Sequence, residues 1–186
     1  MQTLLEFCKF NKISNTALKE LMSKNSVSEK DIVVFNPYDF CNDILSREGI
    51  TELNKYIKSN QNIYLPKYTI FFHSTGFNLK SIILEEGLLP TSEKRRRSYQ
   101  STPGYVYLAW NRESAEMFGS LGNGSKIITF AVLVKTTDMG IDTDQLRNKK
   151  SANPQLDIKQ TLGDSIIFGN GIRVKGKIFP YGLVVI

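Results

Sequence analysis

An α+β fold is predicted for this 186-residue chain by three observations. Residues 1–60 carry apolar side chains at helical spacing, the chain from Tyr68 onward alternates short strand and helix signals, and residues 164–186 add three further strand signals. Hydrophobic residues make up 41% and charged residues 23%, close to globular averages, so a chain of this length can bury a core without disulfide or metal staples. The pattern divides the sequence into a helical N-terminal region, residues 1–67, and a mixed region, residues 68–186.

In the first region Leu4, Leu5, Cys8 and Ile13 are loosely helical in spacing. Ala17, Leu18, Leu21 and Met22 form a stripe that Ile50, Leu53, Tyr56 and Ile57 repeat. Ser14 or Asn15 is placed to cap the second helix, and Asn36-Pro37 breaks the chain after Val33-Val34-Phe35.

In the second region Tyr68 to His73 reads as a strand, and Asn78 to Glu86 as a helix that ends on Gly87 in the left-handed position. Residues 90–103 form a polar loop holding Pro90, a basic run and Pro103. Gly104 to Ala109 is the next strand, and Asn111 caps a short helix from Arg112 that ends at Gly119. The longest apolar run, Lys126 to Val134, is the expected central strand. Residues 138–160 read as polar and irregular. Strands are then expected at Asp164–Phe168, Gly171–Val174 and Tyr181–Ile186, with Gly169-Asn170-Gly171 joining the first two as a hairpin.

Composition narrows the chemistry. No window approaches the roughly 18 apolar residues of a membrane helix, and the first residues lack a signal-peptide pattern, so a cytoplasmic protein without a membrane partner is expected. Cys8 and Cys41 have no metal-type spacing, and a single histidine rules out a multi-histidine metal site. Metal-free chemistry is therefore expected. The net charge of +6 is uneven: residues 1–68 hold nine Lys/Arg against eight Asp/Glu, and residues 69–186 hold fifteen against ten. The excess gathers in Lys94-Arg95-Arg96-Arg97, Arg147-Asn148-Lys149-Lys150 and Arg173-Val174-Lys175-Gly176-Lys177, runs that suit either phosphate contacts or a solvated basic face. Trp110 and Tyr99, beside basic residues, are candidates for stacking on a base.

One ordered set of short motifs goes further. His73-Ser74-Thr75 ends a strand; a helix with Asn78-Leu79 and Glu86-Gly87-Leu88 follows; then come Gly104-x-x-Tyr107-Leu108-Ala109, Ser114-Ala115 and, near the end, Asp164-Ser165-Ile166-Ile167-Phe168. This order resembles the diphtheria-toxin-like and poly(ADP-ribose)-polymerase-like branch of the ADP-ribosyltransferase superfamily, over about residues 68–186. It is also similar to DNA-targeting toxins of the DarT type and to the RNA 2'-phosphotransferases. The latter rely on an Arg-His pair in a separate lobe, whereas the resemblance implies that the one histidine here binds NAD.

The resemblance implies a split, strongly twisted sheet with an NAD cleft, NAD as co-substrate and no metal. It implies that His73 binds the adenosine ribose, that Ser74 and Thr75 hold the nicotinamide amide, and that Tyr107 stacks on the nicotinamide ring with help from Tyr105. Asn78 and Ser114, on the matching helices, join this NAD-binding set, and Asp164 takes the place of the catalytic acid. Two positions depart from the pattern: Ser74 stands where the family commonly has Gly, and Asp164 where it commonly has Glu, with Glu113 and Glu116 as nearby alternatives. A carboxylate beside the ribose fits the chemistry, because loss of nicotinamide develops an oxocarbenium-like sugar that negative charge stabilises.

The implied function is transfer of ADP-ribose from NAD to a macromolecule. The basic surface favours a nucleic acid acceptor over protein, with Lys94, Arg95, Arg96 and Arg97 as its contacts. Small size and resemblance suggest a toxin or phage-defence effector, for which an antitoxin or inhibitor protein is an expected partner. A non-catalytic module that keeps the cleft is the alternative from another class.

Overall fold

The computed structural model describes residues 2–40, 46–90, 92, 101–121, 123 and 126–186. Among them lie α1 (Leu4–Phe10), α2 (Asn15–Asn25), α3 (Arg47–Asn60), α4 (Lys80–Glu86), α5 (Arg112–Ser120), α6 (Thr143–Ala152) and α7 (Leu162–Gly169), with strands β1 (Tyr68–Gly76), β2 (Tyr105–Ala109), β3 (Ile127–Lys135), β4 (Gly171–Lys175) and β5 (Leu183–Val185). Capping chemistry sets most helix starts. Thr3 and Glu6 close a capping box on α1, Ser14 accepts from the Ala17 N–H at the start of α2, and Asn111 accepts from Ser114 at the start of α5.

The fold is α+β, built on one antiparallel sheet in the order β4-β2-β1-β3-β5. β1 rather than β3 takes the middle of the sheet, while β3 lies beside it with seven consecutive residues buried, and its alternation serves two layers. Ile128, Phe130, Val132 and Val134 pack in a cluster with Ile50, Leu53 and Ile57 of α3, Leu146 of α6 and Ile166 of α7. Ala131 and Leu133 pack instead with Phe7 and Cys8 of α1, Ala17, Leu18 and Leu21 of α2, and Ala115 of α5. The N-terminal helices thus cover both faces of the sheet, and residues 1–67 share its core; Phe7 stacks on Phe72 of β1 at 5.9 Å between centroids. Burial pushes the Cys8 thiol up to about 11, so it serves as an inert packing group.

Four expectations are corrected. Residues 164–168 are not a strand but the middle of α7, because Thr161 and Asp164 form a capping box, and an apolar run buried on every side suits a helix as well as a strand. Asn170, left-handed at φ 60°, closes that helix and feeds β4, so the Gly169-Asn170-Gly171 turn makes no hairpin. The polar stretch 138–160 contains α6, capped by Asp142 and anchored by buried Asp144 and Leu146. The final strand is confined to β5, since Pro180–Gly182 forms a 3-10 turn. Gly87 does take positive φ, 91°, but with extended ψ of −172°, and a Cβ there would stand 2.1 Å from the Ile178 carbonyl oxygen.

At Gly119 the backbone of α5 meets β1: a Cβ would fall 2.5 Å from Ser74 Cβ. Gly119→Ala is expected to cost about 1–3 kcal/mol through overpacking, read as a lower urea midpoint. An unchanged midpoint would mean that α5 can withdraw from Ser74 freely.

Candidate functional site

β1 and β2 are sequence neighbours in the middle of the sheet, yet their register holds a single pair, Phe72↔Ala109. Beyond it the strands leave a cleft of about 930 Å³, at the upper end of small-molecule sites. His73, Ser74 and Thr75 line it from β1, Tyr105 and Tyr107 from β2, and Leu79, Ile82 and Ile83 from the segment after β1. Asp142, Asp144 and Gln145, at the start of α6, complete the polar wall.

His73 bridges the gap. Its Nδ1 lies 3.1 Å from the Tyr107 carbonyl oxygen, and because a carbonyl oxygen only accepts, Nδ1 carries the proton. A side chain thus replaces the ladder bond at this point and fixes the imidazole orientation. Tyr107 is held at its other end: its hydroxyl donates to Asp144 Oδ2 at 2.5 Å and accepts from the Thr102 N–H at 2.7 Å. Thr102 also donates to both Asp144 oxygens, from N–H at 2.8 Å and from Oγ1 at 3.0 Å. Burial and the Asp144 contact push the Tyr107 phenol up to about 12, so it remains a donor. For Asp144, burial acts upward, but the hydrogen bonds from Tyr107 and Thr102 outweigh it and hold the carboxyl below its usual range.

Asp142 behaves oppositely. It caps α6 by accepting from the Gln145 N–H at 3.0 Å, while its own N–H donates to Ser165 Oγ at 2.8 Å. Burial pushes its carboxyl up to about 6, and the charge of Asp144 adds to the rise. Folding therefore favours protonated Asp142: this stabilisation is complete below the ordinary value of 3.8 and is lost as pH rises through about 6. The difference is worth about 3 kcal/mol. Asp142→Asn keeps the cap but cannot ionise, so wild-type stability relative to this variant is expected to fall by that amount between pH 4 and 7 in urea titrations. Parallel curves would refute the assignment.

Ser74 faces away from His73 along β1, and its Oγ meets Thr129 Oγ1 at 2.7 Å. Thr129 in turn contacts Glu116, which pairs with Arg112 at 2.6 Å. On β2 the Tyr105 ring lies 4.2 Å from the Arg173 guanidinium carbon.

Several predicted residues sit elsewhere. Asn78 and Ser114 do not line the cleft; Asn78 Oδ1 lies against Gly76, and the Ser114 N–H serves the Asn111 cap. Glu113 and Glu116 are also outside it. Asp164 is corrected most: it is 0% exposed, absent from the cleft wall, engaged with Thr161 in the capping box and 2.9 Å from Arg47 Nη1. Its place in a helix rather than a strand turns it into the core. Trp110 is buried and packs edge-on against Tyr38, which removes it as a base-stacking surface. Lys94, Arg95, Arg96, Arg97 and Tyr99 lie outside the described residues.

Asp142, Asp144 and Thr102 were not anticipated. Asp142-Thr143-Asp144-Gln145 has the acid-x-x-Gln spacing of a helix start, a local signal for the start of α6 but not for the burial of its acids. Among the described residues no group of three His, Cys, Asp or Glu side chains could hold a metal ion, and no helix is long and apolar enough to cross a membrane. No protein-family model matches the chain, and no curated protein matches its sequence.

Proposed function

We propose that this chain is an NAD-dependent mono-ADP-ribosyltransferase that cleaves the nicotinamide–ribose bond and passes ADP-ribose to a nucleic acid. The observation that carries this reading is the convergence of His73, Thr75, Tyr105 and Tyr107 on one cleft with two carboxylates in its wall. The cleft supplies an aromatic face for a leaving ring and hydrogen-bonding groups for ribose hydroxyls. Its negative charge comes from Asp142 and Asp144 rather than from Asp164. That charge stabilises an oxocarbenium-like sugar more than the neutral ground state, which is the condition for accelerating bond cleavage. Tyr107, pinned at both ends, presents a ring whose orientation is set before ligand arrives.

The net charge of +6 favours a polyanionic acceptor. The test is incubation with NAD labelled in the adenosine half, together with separate RNA, DNA and protein pools, following free nicotinamide and label on the polymer. Transfer to RNA or DNA is expected. Absence of nicotinamide release with every acceptor would overturn the reading, and label on protein alone would move the acceptor to that class.

A further inference from the structure

Along β4 and on past the start of β2, the outward side chains form a series. Arg173 and Lys175 share one face of β4, opposite buried Ile172 and Val174. Beyond the strand, past the positive-φ turn at Gly176, Lys177, Phe179 and Tyr181 are exposed, with Ile178 and Gly182 buried between and after them. The series is cationic at one end and aromatic at the other, and the two halves touch. Arg173 covers Tyr105 at 4.2 Å, Lys177 lies 5.5 Å from the Phe179 centroid, and Phe179 and Tyr181 stack at 5.5 Å with an interplanar angle of 5°.

The two stacked rings form one exposed apolar patch. Phe179 is 51% exposed and Tyr181 54%. Their backbone is nonetheless fixed: Ile178 exchanges both backbone hydrogen bonds with Leu88, the Tyr181 carbonyl accepts from Asn25 Nδ2, and the Gly182 N–H donates to Phe179. The rings are thus presented by a rigid support. The series itself does not line the cleft, but it runs beside residues that do: Arg173 covers Tyr105, and the Phe179 backbone lies next to Gly87.

We infer that Lys175, Lys177, Phe179 and Tyr181 form a docking track for single-stranded nucleic acid that runs beside the cleft. The cations take the phosphates, and the two parallel rings offer faces on which unpaired bases stack. A duplex keeps its bases stacked inward and cannot use the rings, so the track selects single strands. As an acceptor track it rests on the transferase reading above; as a binding surface it does not.

Fluorescence anisotropy with labelled oligonucleotides, measured without NAD, separates these. Single-stranded RNA or DNA of one mixed sequence is expected to bind at least about fivefold tighter than its duplex, and the RNA and DNA arms show which sugar is preferred. The double variant Phe179→Leu, Tyr181→Leu keeps apolar bulk but removes the stacking faces, and is expected to weaken single-strand binding at least about fivefold. Lys175→Ala with Lys177→Ala should lower the salt slope of log K by about 1.4, the loss of two phosphate contacts on a single strand. Failure of the wild-type protein to bind either single strand, equal binding of duplex, or indifference to the leucine variant would overturn the track. Wild-type protein that binds single strands but releases no nicotinamide from NAD would sink the transferase reading alone. Protein that releases nicotinamide but binds no single strand would sink the track alone.

Discussion

Replacing Arg47 by alanine is expected to lower the unfolding free energy by about 3–5 kcal/mol, the cost of leaving a buried charge without its partner. Asp164 is 0% exposed, and Arg47 Nη1 stands 2.9 Å from its Oδ1 in an ion pair that lacks directed hydrogen-bond geometry. Arg47 also binds Asp157 through Nε and Nη2, which ties the segment before α7 to the start of α3. The reverse deletion is milder. Asp164→Ala loses only the N3 half of the capping box, about 1 kcal/mol or less, while Arg47 has a 27% exposed side chain and can turn to water. Urea unfolding of the two variants should therefore rank Arg47→Ala below Asp164→Ala. The same pair tests the position of the catalytic acid. Loss of turnover in a folded Asp164→Ala protein, with Asp142→Asn fully active, would return Asp164 to the catalytic role.

Tyr107→Ala is expected to reduce nicotinamide release by about 10²-fold or more, since it deletes the ring and releases both Asp144 and Thr102 from their contacts with the hydroxyl. Tyr107→Phe keeps the ring and loses only the hydroxyl, so a smaller drop, about tenfold, is expected. Release measured by chromatography at saturating NAD separates the two contributions. Equal losses in both variants would assign the work to the hydroxyl and Asp144, and no loss in either would remove Tyr107 from the site.

These assignments show where the sequence was legible. Polar residues at the end of an apolar strand identified His73, Ser74 and Thr75, because a strand end brings side chains to a surface whatever the topology. Tyr107, at the middle of β2, was picked out only by the Tyr-Leu-Ala step of the resemblance, whereas Ser14 and Asn111 announced their helices through local capping chemistry. Asp164 was misplaced because Ile166-Ile167-Phe168 carries no period: full burial erases the alternation that separates strand from helix. The deciding signal was the Thr161–Asp164 spacing, three residues apart and outside the apolar run. Asp142 and Asp144 were hidden by polarity. A helix with few apolar residues looks like a loop until tertiary contacts bury one side, and the burial of Asp144 and Leu146 depends on partners far away in sequence. The packing of α1, α2 and α3 on both faces of the sheet is likewise a long-range fact that no window of sequence contains.

The strand order β4-β2-β1-β3-β5 bears on how fast this molecule assembles. Among the described residues, the one pair of consecutive strands that are neighbours, β1 and β2, meets at a single position, so none of their extended ladders begins as a local hairpin. Ser74 must find Thr129, 55 residues away, before β1 and β3 can zip, and Tyr107 must wait for Arg173 at the far end of the chain. High contact order of this kind places folding in the slow range, roughly milliseconds to seconds. A freshly made chain therefore spends that interval with β1 and β3 unpaired and open to association with other chains.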